Sequence, residues 1–204
     1  MAEISVLFWD IGGVLLSNGW DHRARHSAAE KFGLDPVEFE RRHEGVEREF
    51  ETGRIDLDAY LTATVFYLAR SFTHEDFRRF MHACSSPHPS ALACARAVRT
   101  GGRYVMAALN NESDDLNRYR IETFDLRQIF HVFLSSCITG RRKPDPEAYR
   151  YALQITQRDP EEALLLDDRL ENLESAARLG LRTLQVQDPE RIREGLVSSG
   201  VVAG

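Results

Sequence analysis

Four short stretches carry side chains able to do chemistry, and each follows or adjoins an apolar run. Asp10 closes Ile4–Trp9 and opens Asp10-Ile11-Gly12-Gly13-Val14-Leu15. Asn110 and Asn111 close Tyr104–Leu109, and Lys143 sits in Arg141-Arg142-Lys143-Pro144-Asp145-Pro146. Asp167 and Asp168 close Ala163–Leu166, with Asn172 just beyond. An open parallel sheet holds its ligand where strands end in such residues. On one sheet, these stretches would bring a lysine, three carboxylates and several amides into one crevice. That set suits a metal ion and a phosphate, with a carboxylate left to attack.

The elements that must position them are legible in outline. Ile4–Trp9 is apolar at nearly every position, as a strand covered on both faces should be. From Trp20 to Met81 only helical patterns appear. The spacing predicts helices over Trp20–Phe32, from Pro36 to the Thr52-Gly53 break, over Asp56–Arg70 and from Thr73 to about Cys84. Asp35-Pro36 is a helix start, with Glu38 three residues after the cap. Leu57, Tyr60, Leu61, Thr64, Val65 and Leu68 form the apolar face of the third helix. Ser85–Ser90 is the best linker. Helices over 91–99, 113–120, 145–154 and 171–179 then alternate with strands over 104–109, 131–135, 163–166 and 182–186. Such alternation gives right-handed crossovers and a parallel sheet. The expected fold is α/β: a Rossmann-like parallel sheet flanked by helices, built from residues 1–16 and 90–204, with an all-helical insert at 17–89. An insert placed directly after the first catalytic loop sits over the crevice as a lid.

The chain has 204 residues, 43% of them hydrophobic and 28% charged, an ordinary soluble composition. A net charge of −6 argues against the basic footprint of a nucleic-acid binder. No stretch has the length of a membrane span, and the N-terminus lacks a secretory pattern. Cys84, Cys94 and Cys137 are an odd set without CxxC spacing, which reads as reduced thiols. The expected location is the cytoplasm.

The four stretches, in this order, resemble the motifs of the haloacid dehalogenase-like hydrolase superfamily, and the 17–89 insert resembles that family's helical cap. The resemblance implies that Asp10 is the nucleophile of an aspartyl-phosphate mechanism. It implies Mg2+ held by Asp10, the Gly12 carbonyl and Asp168, with Asp167 either a further ligand or an orienting group. Lys143 would neutralise charge on Asp10 and the phosphoryl oxygens. Asn110 would donate to phosphate, Asn111 would do so or hold its loop, and Asn172 would steady the metal site. Arg141 and Arg142 read as surface charges.

Two positions depart from the family pattern. Gly12 stands where its phosphatases carry a second Asp, and Asn110 stands where Thr or Ser is usual. The first removes the usual proton donor, and His22, His26, Asp21 and Glu44 are candidate replacements. His22 and His26 are four apart, a spacing that lets them share a helix face. Trp20 reads as core or crevice wall. Losing a general acid costs about 10²–10⁴-fold, less for good leaving groups. The implied activity is a phosphatase for a small phosphorylated metabolite. The alternatives are a 2-haloacid dehalogenase, using Lys143 and Tyr149, and a regulatory member that keeps the fold.

Overall fold

The computed structural model describes residues 2–203. Five parallel strands lie in the order β3-β2-β1-β4-β5. They are β1 Val6–Trp9, β2 Val105–Ala108, β3 Val132–Phe133, β4 Ala163–Asp167 and β5 Arg182–Gln185. Between β1 and β2 run helices α1 His22–Phe32, α2 Pro36–Glu44, α3 Glu47–Glu51, α4 Leu57–Thr64, α5 His74–Ala83 and α6 Pro89–Thr100. The others are α7 Asp114–Thr123, α8 Ser136–Thr139, α9 Pro146–Thr156, α10 Leu170–Arg178 and α11 Ile192–Ser198. No helix among the described residues is long and apolar enough to cross a membrane.

The sequence of β1 explains its central place. Leu7 and Trp9 point into one apolar cluster, shared with α6 and α11. Val6 and Phe8 point into another, shared with α9 and α10. Every side chain of the strand is thus withdrawn from water, worth about 1.5–3 kcal/mol for each large one. The chain leaves this environment at Asp10, the first residue beyond the strand. Trp9 pairs with both Ala108 and Leu166, so Asp10 comes level with Leu109 and Asp167. Strand order reverses between β1 and β4, where open α/β sheets bind ligands.

Helices α1–α5 build a third cluster of their own around Trp20, Phe39, Tyr60 and Phe77. Asp21, Asp35, Asp56 and Thr73 cap α1, α2, α4 and α5 through their side chains. Two expected boundaries are corrected. The second helix breaks at Gly45-Val46 into α2 and α3. The third ends at Thr64 instead of Arg70. There the chain turns so that Phe66 packs on Phe72 and His74, and Arg70 Nε donates to the freed Val65 carbonyl at 2.8 Å. Leu68, expected on the apolar face, is exposed. Helix α11 had no expected counterpart.

The two crossings between the sheet and the α1–α5 helices lie side by side. Ser17 N donates to Ser86 O, His88 N donates to Leu15 O, and Leu16 bridges Pro87. Arg120 on α7 staples both crossings. Its Nη2 donates to Ser17 O at 3.0 Å, its Nε donates to Ser85 Oγ at 3.0 Å, and its Nη1 pairs with Glu112 at 2.9 Å. Gly19 makes room for it: a Cβ there would meet Arg120 Nη2 at 1.6 Å, at a φ of +76°. Arg120 and Glu112 are both buried. Removing one partner of such a pair strands the other charge, which costs about 3–5 kcal/mol, whereas removing both costs far less. Arg120→Met is therefore expected to lower unfolding free energy in urea by about that amount. Arg120→Met combined with Glu112→Gln should recover most of the loss. Equal losses in the single and double variants would show that the pair is not what holds this joint.

Candidate active site

Asp10 is anchored from both sides. Ile11 N donates to its Oδ1 at 2.7 Å, and Lys143 Nζ lies 2.9 Å from its Oδ2. Lys143 Nζ also donates to Asp167 Oδ2 at 2.5 Å, and the lysine is 2% exposed. Its place is set from its own backbone. Asn111 Nδ2 donates to Lys143 O at 2.7 Å, and Lys143 N donates to Asn111 Oδ1 at 2.9 Å. Asn111 thus holds the lysine loop, the second of its two expected roles.

Asp167 is wholly buried and its lone pairs are occupied. Oδ1 accepts from Arg169 N and Asn172 Nδ2, each at 2.9 Å, while Oδ2 takes Lys143 and a second approach of Asn172 at 3.1 Å. These contacts suit an orienting group more than a direct ligand. Asn172 is buried on α10. Asp168 differs from its neighbour: its Oδ1 is buried with no partner among the described residues.

Electrostatics say what the cluster can hold. Burial pushes the Asp10 carboxyl up, Lys143 pulls it back, and Asp167 and Asp168 add to the rise. Asp168 is raised by burial and by Asp167. Burial works against the charge on Lys143, but Asp10 and Asp167 more than offset it and hold its pKa above the usual lysine value. Three carboxylates and one ammonium leave the cluster two positive charges short of neutrality, and like charges this close stay ionised only beside a cation. One oxygen of each of Asp10, Asp167 and Asp168 lies within 4.8 Å of the others. Hard oxygens, an orphaned carboxylate oxygen and a twofold charge deficit fit a small dication. The turn is cut to the same purpose: a Cβ on Gly13 would meet Asp168 Oδ2 at 2.3 Å, at a φ of +71°.

Asp10, Gly12, Lys143, Asp168 and Asn172 form one wall of a cavity of about 290 Å³. The opposite wall comes from the segment leading into α1–α3: Asn18, Trp20, Asp21, His22, His43, Glu47 and Glu51. Of the four candidate proton donors, Asp21 and His22 reach the cavity. His26 pairs with Glu30 on the surface, and Glu44 is exposed. His22 stands exposed, 3.4 Å from Glu40. Trp20 serves both of its expected roles, packing edge-on against Phe77 at 5.7 Å while lining the cavity.

Three expectations change. Asn110 does not face the cavity. Its Oδ1 accepts from Ser135 Oγ at 2.8 Å and its Nδ2 points to Asn117, so its amide is spent on a buried network. Tyr149 is buried and donates to Asn172 O at 2.9 Å, away from the cavity. Arg142 is not a surface charge. Its Nε lies 3.0 Å from Glu51 and its Nη2 lies 3.5 Å from Glu47, joining the sheet side to α3. Glu51 itself escaped the sequence reading. Burial pushes its carboxyl up to about 7, against the opposing pull of Arg142. The available signal was the four-residue spacing of His43, Glu47 and Glu51, a polar stripe along a predicted helix.

Comparison with known proteins adds an independent line. The family model described as haloacid dehalogenase-like hydrolase matches residues 4–180. Phosphatase MT3486 of Mycobacterium tuberculosis is 28% identical over 202 residues, covering 96% of this chain and 93% of that protein. Acyl-CoA dehydrogenase family member 10 of mouse is 44% identical over 64 residues, which are 31% of this chain and 6% of that much longer protein. A HAD family enzyme of Bacteroides thetaiotaomicron, solved as a magnesium complex, superposes with a TM-score of 0.77 at 20% identity, covering 90% of this chain and 93% of that one.

The two glycines of the turn should behave oppositely. Gly13→Ala is expected to abolish Mg2+ uptake measured by titration calorimetry. Gly12→Ala should retain it, because a Cβ there meets nothing nearer than Asn18 Oδ1 at 3.4 Å. Mg2+ binding that survives Gly13→Ala would contradict this geometry.

Proposed function

Because the chain belongs to the haloacid dehalogenase-like hydrolases, we propose that it is a Mg2+-dependent phosphatase of small phosphorylated metabolites. The observation that carries this reading is the set of Asp10, Asp167 and half-buried Asp168 around Lys143, whose net charge of −2 a dication offsets. The family match, the phosphatase name of the mycobacterial relative and the magnesium complex of the Bacteroides enzyme support it. Residues 17–89 act as the cap and residues 1–16 and 90–204 as the hydrolase core. A cavity walled from both sides supports that division.

Asp10, Asp168 and the Gly12 carbonyl would hold Mg2+, which supplies positive charge to the phosphoryl oxygens when bound. An Asp10 carboxylate oxygen attacks phosphorus, forming the aspartyl-phosphate as the bond to the leaving oxygen breaks. Lys143 stays charged beside Asp10 and lowers the cost of the negative charge that spreads in the transition state. The leaving alkoxide needs a proton, and Gly12 cannot supply one. Glu51 is the donor on the facing wall, because burial keeps its proton on to about neutral pH. Water then attacks phosphorus, giving a proton to the Glu51 carboxylate as the bond to the Asp10 oxygen breaks, which releases phosphate and restores Asp10. A dehalogenase reading loses Tyr149 to Asn172 and must place a substrate carboxylate beside three others.

Asp10→Asn is expected to lower Mg2+-dependent turnover of an aryl phosphate by at least about 10³-fold, with an unchanged circular dichroism spectrum. Wild-type turnover in that variant would refute the nucleophile assignment. Glu51→Gln should lower kcat for alkyl phosphates by about 10²–10⁴-fold while sparing p-nitrophenyl phosphate, whose leaving group needs no proton. The sign of the pH effect follows from the raised value. Glu51 holds its proton below about pH 7, so alkyl phosphate turnover should fall above that pH, and Glu51→Gln should flatten the fall. A pH profile of kcat unchanged by the substitution would remove Glu51 from the mechanism.

A further inference from the structure

Three aromatic side chains on the α1–α4 side of the cavity form a hydrogen-bond relay with a fixed direction. Trp20 Nε1 can only donate, and it donates to Tyr60 Oη at 2.8 Å. Tyr60 is fully buried, so its own proton needs an acceptor. His43 Nδ1, at 3.0 Å, provides it. That assignment makes Nδ1 the unprotonated nitrogen and leaves the hydrogen of the neutral ring on Nε2. His43 is 5% exposed and lines the cavity, and its Nε2 has no hydrogen-bond partner among the described residues. Glu47 Oε1 stands 3.9 Å away, beyond hydrogen-bond reach. Burial and the neighbouring Arg25 push the ring's pKa down to about 4, which keeps it neutral at ordinary pH.

A buried donor without a partner is costly, and a ligand that accepts from it recovers that cost. The charges around it narrow the ligand. The arginines lining the cavity are already paired: Arg25 with Glu40 at 2.5 Å and with Trp20 O at 2.8 Å, Arg120 with Glu112 at 2.9 Å, and Arg169 with Glu171. Glu47 adds acceptor oxygens to the wall that holds the His43 donor. Such a wall repels a second anionic group and wastes its donor on an apolar one. It matches hydroxyl groups, which both accept and donate.

We propose that His43 Nε2–H is a specificity-determining donor that reads a hydroxyl on an uncharged, hydroxyl-bearing leaving group of the phosphate ester. Trp20 and Tyr60 are positioning residues that fix its tautomer. The inference rests on the phosphatase reading and is tested apart from it. The measurement uses 15N-histidine-labelled Asp10→Asn protein with Mg2+, where no turnover is needed. The His43 resonances should first show an unprotonated Nδ1 and a protonated Nε2. Glycerol 3-phosphate, ribose 5-phosphate or glucose 6-phosphate should then shift Nε2–H, whereas phenyl phosphate should not. In the active protein, kcat/KM for the preferred hydroxylated ester should exceed that for phosphoglycolate and phenyl phosphate by at least about tenfold. His43→Phe should erase that preference, His43→Gln should restore part of it, and Tyr60→Phe should mix the two tautomers. A protonated Nδ1, an Nε2 that none of the three esters moves, or a preference that survives His43→Phe overturns the proposal. Absence of any phosphate hydrolysis by the active protein would sink the phosphatase reading instead, and the resonance shifts would still decide the role of His43.

Discussion

Lys143 brings one positive charge into a buried space that holds three carboxylates, and most of the site's construction answers to that imbalance. The lysine can remain charged there only because Asp10 and Asp167 hold it at 2.9 and 2.5 Å. The carboxylates can remain charged together only beside a further cation. Each supporting contact fixes one member of this group. Asn111 grips the lysine backbone, Asn172 and the Arg169 amide fill the lone pairs of Asp167, and Ile11 N holds one oxygen of Asp10. Asp168 Oδ1 and Asn172 Oδ1 are buried without a partner among the described residues, and Gly13 keeps a Cβ from colliding with the Asp168 carboxylate. The parallel register makes the meeting possible, because β1 and β4 end level with one another.

The second wall comes from a separate stretch of the sequence, and Leu116 of α7, the Arg142–Glu51 pair and the Ser136–Glu51 hydrogen bond tie it to the first. It belongs to helices with their own aromatic core, joined to the sheet by two adjacent crossings and the Arg120 staple. In the proposed reading, catalytic groups sit on strand ends and recognition groups sit on the 17–89 insert. Gly12 has no side chain to donate a proton, and Glu51 on α3, its carboxyl pushed up to about 7 by burial, faces the same cavity.

The sheet side was largely legible in the sequence, because a polar residue ending an apolar run marks a strand terminus whatever the tertiary detail. Asp10, Lys143 and Asp168 converge as their positions implied, and the five strands fall where the periodicity placed them. Side-chain direction was not legible. Asn110 follows β2 as expected, but Ser135 and Asn117 draw its amide inward. Arg142 beside Lys143 read as a surface charge because its partners, Glu47 and Glu51, are about ninety residues away. The polar stripe of His43, Glu47 and Glu51 was hidden for a different reason. A solvated helix face has the same spacing, and only the docking of α3 against α8 and Arg142 turns it inward. The Trp20-Tyr60-His43 relay joins three helical segments and leaves no trace in local pattern.

The charge deficit is tested most directly by diffraction from crystals grown with Mn2+ in place of Mg2+, read as anomalous scattering. One strong peak is predicted within bonding distance of the Asp10 and Asp168 carboxylates and the Gly12 carbonyl, with Lys143 still on Asp10 and Asp167. An empty cluster at saturating Mn2+, or a peak bound elsewhere on the chain, would contradict the account.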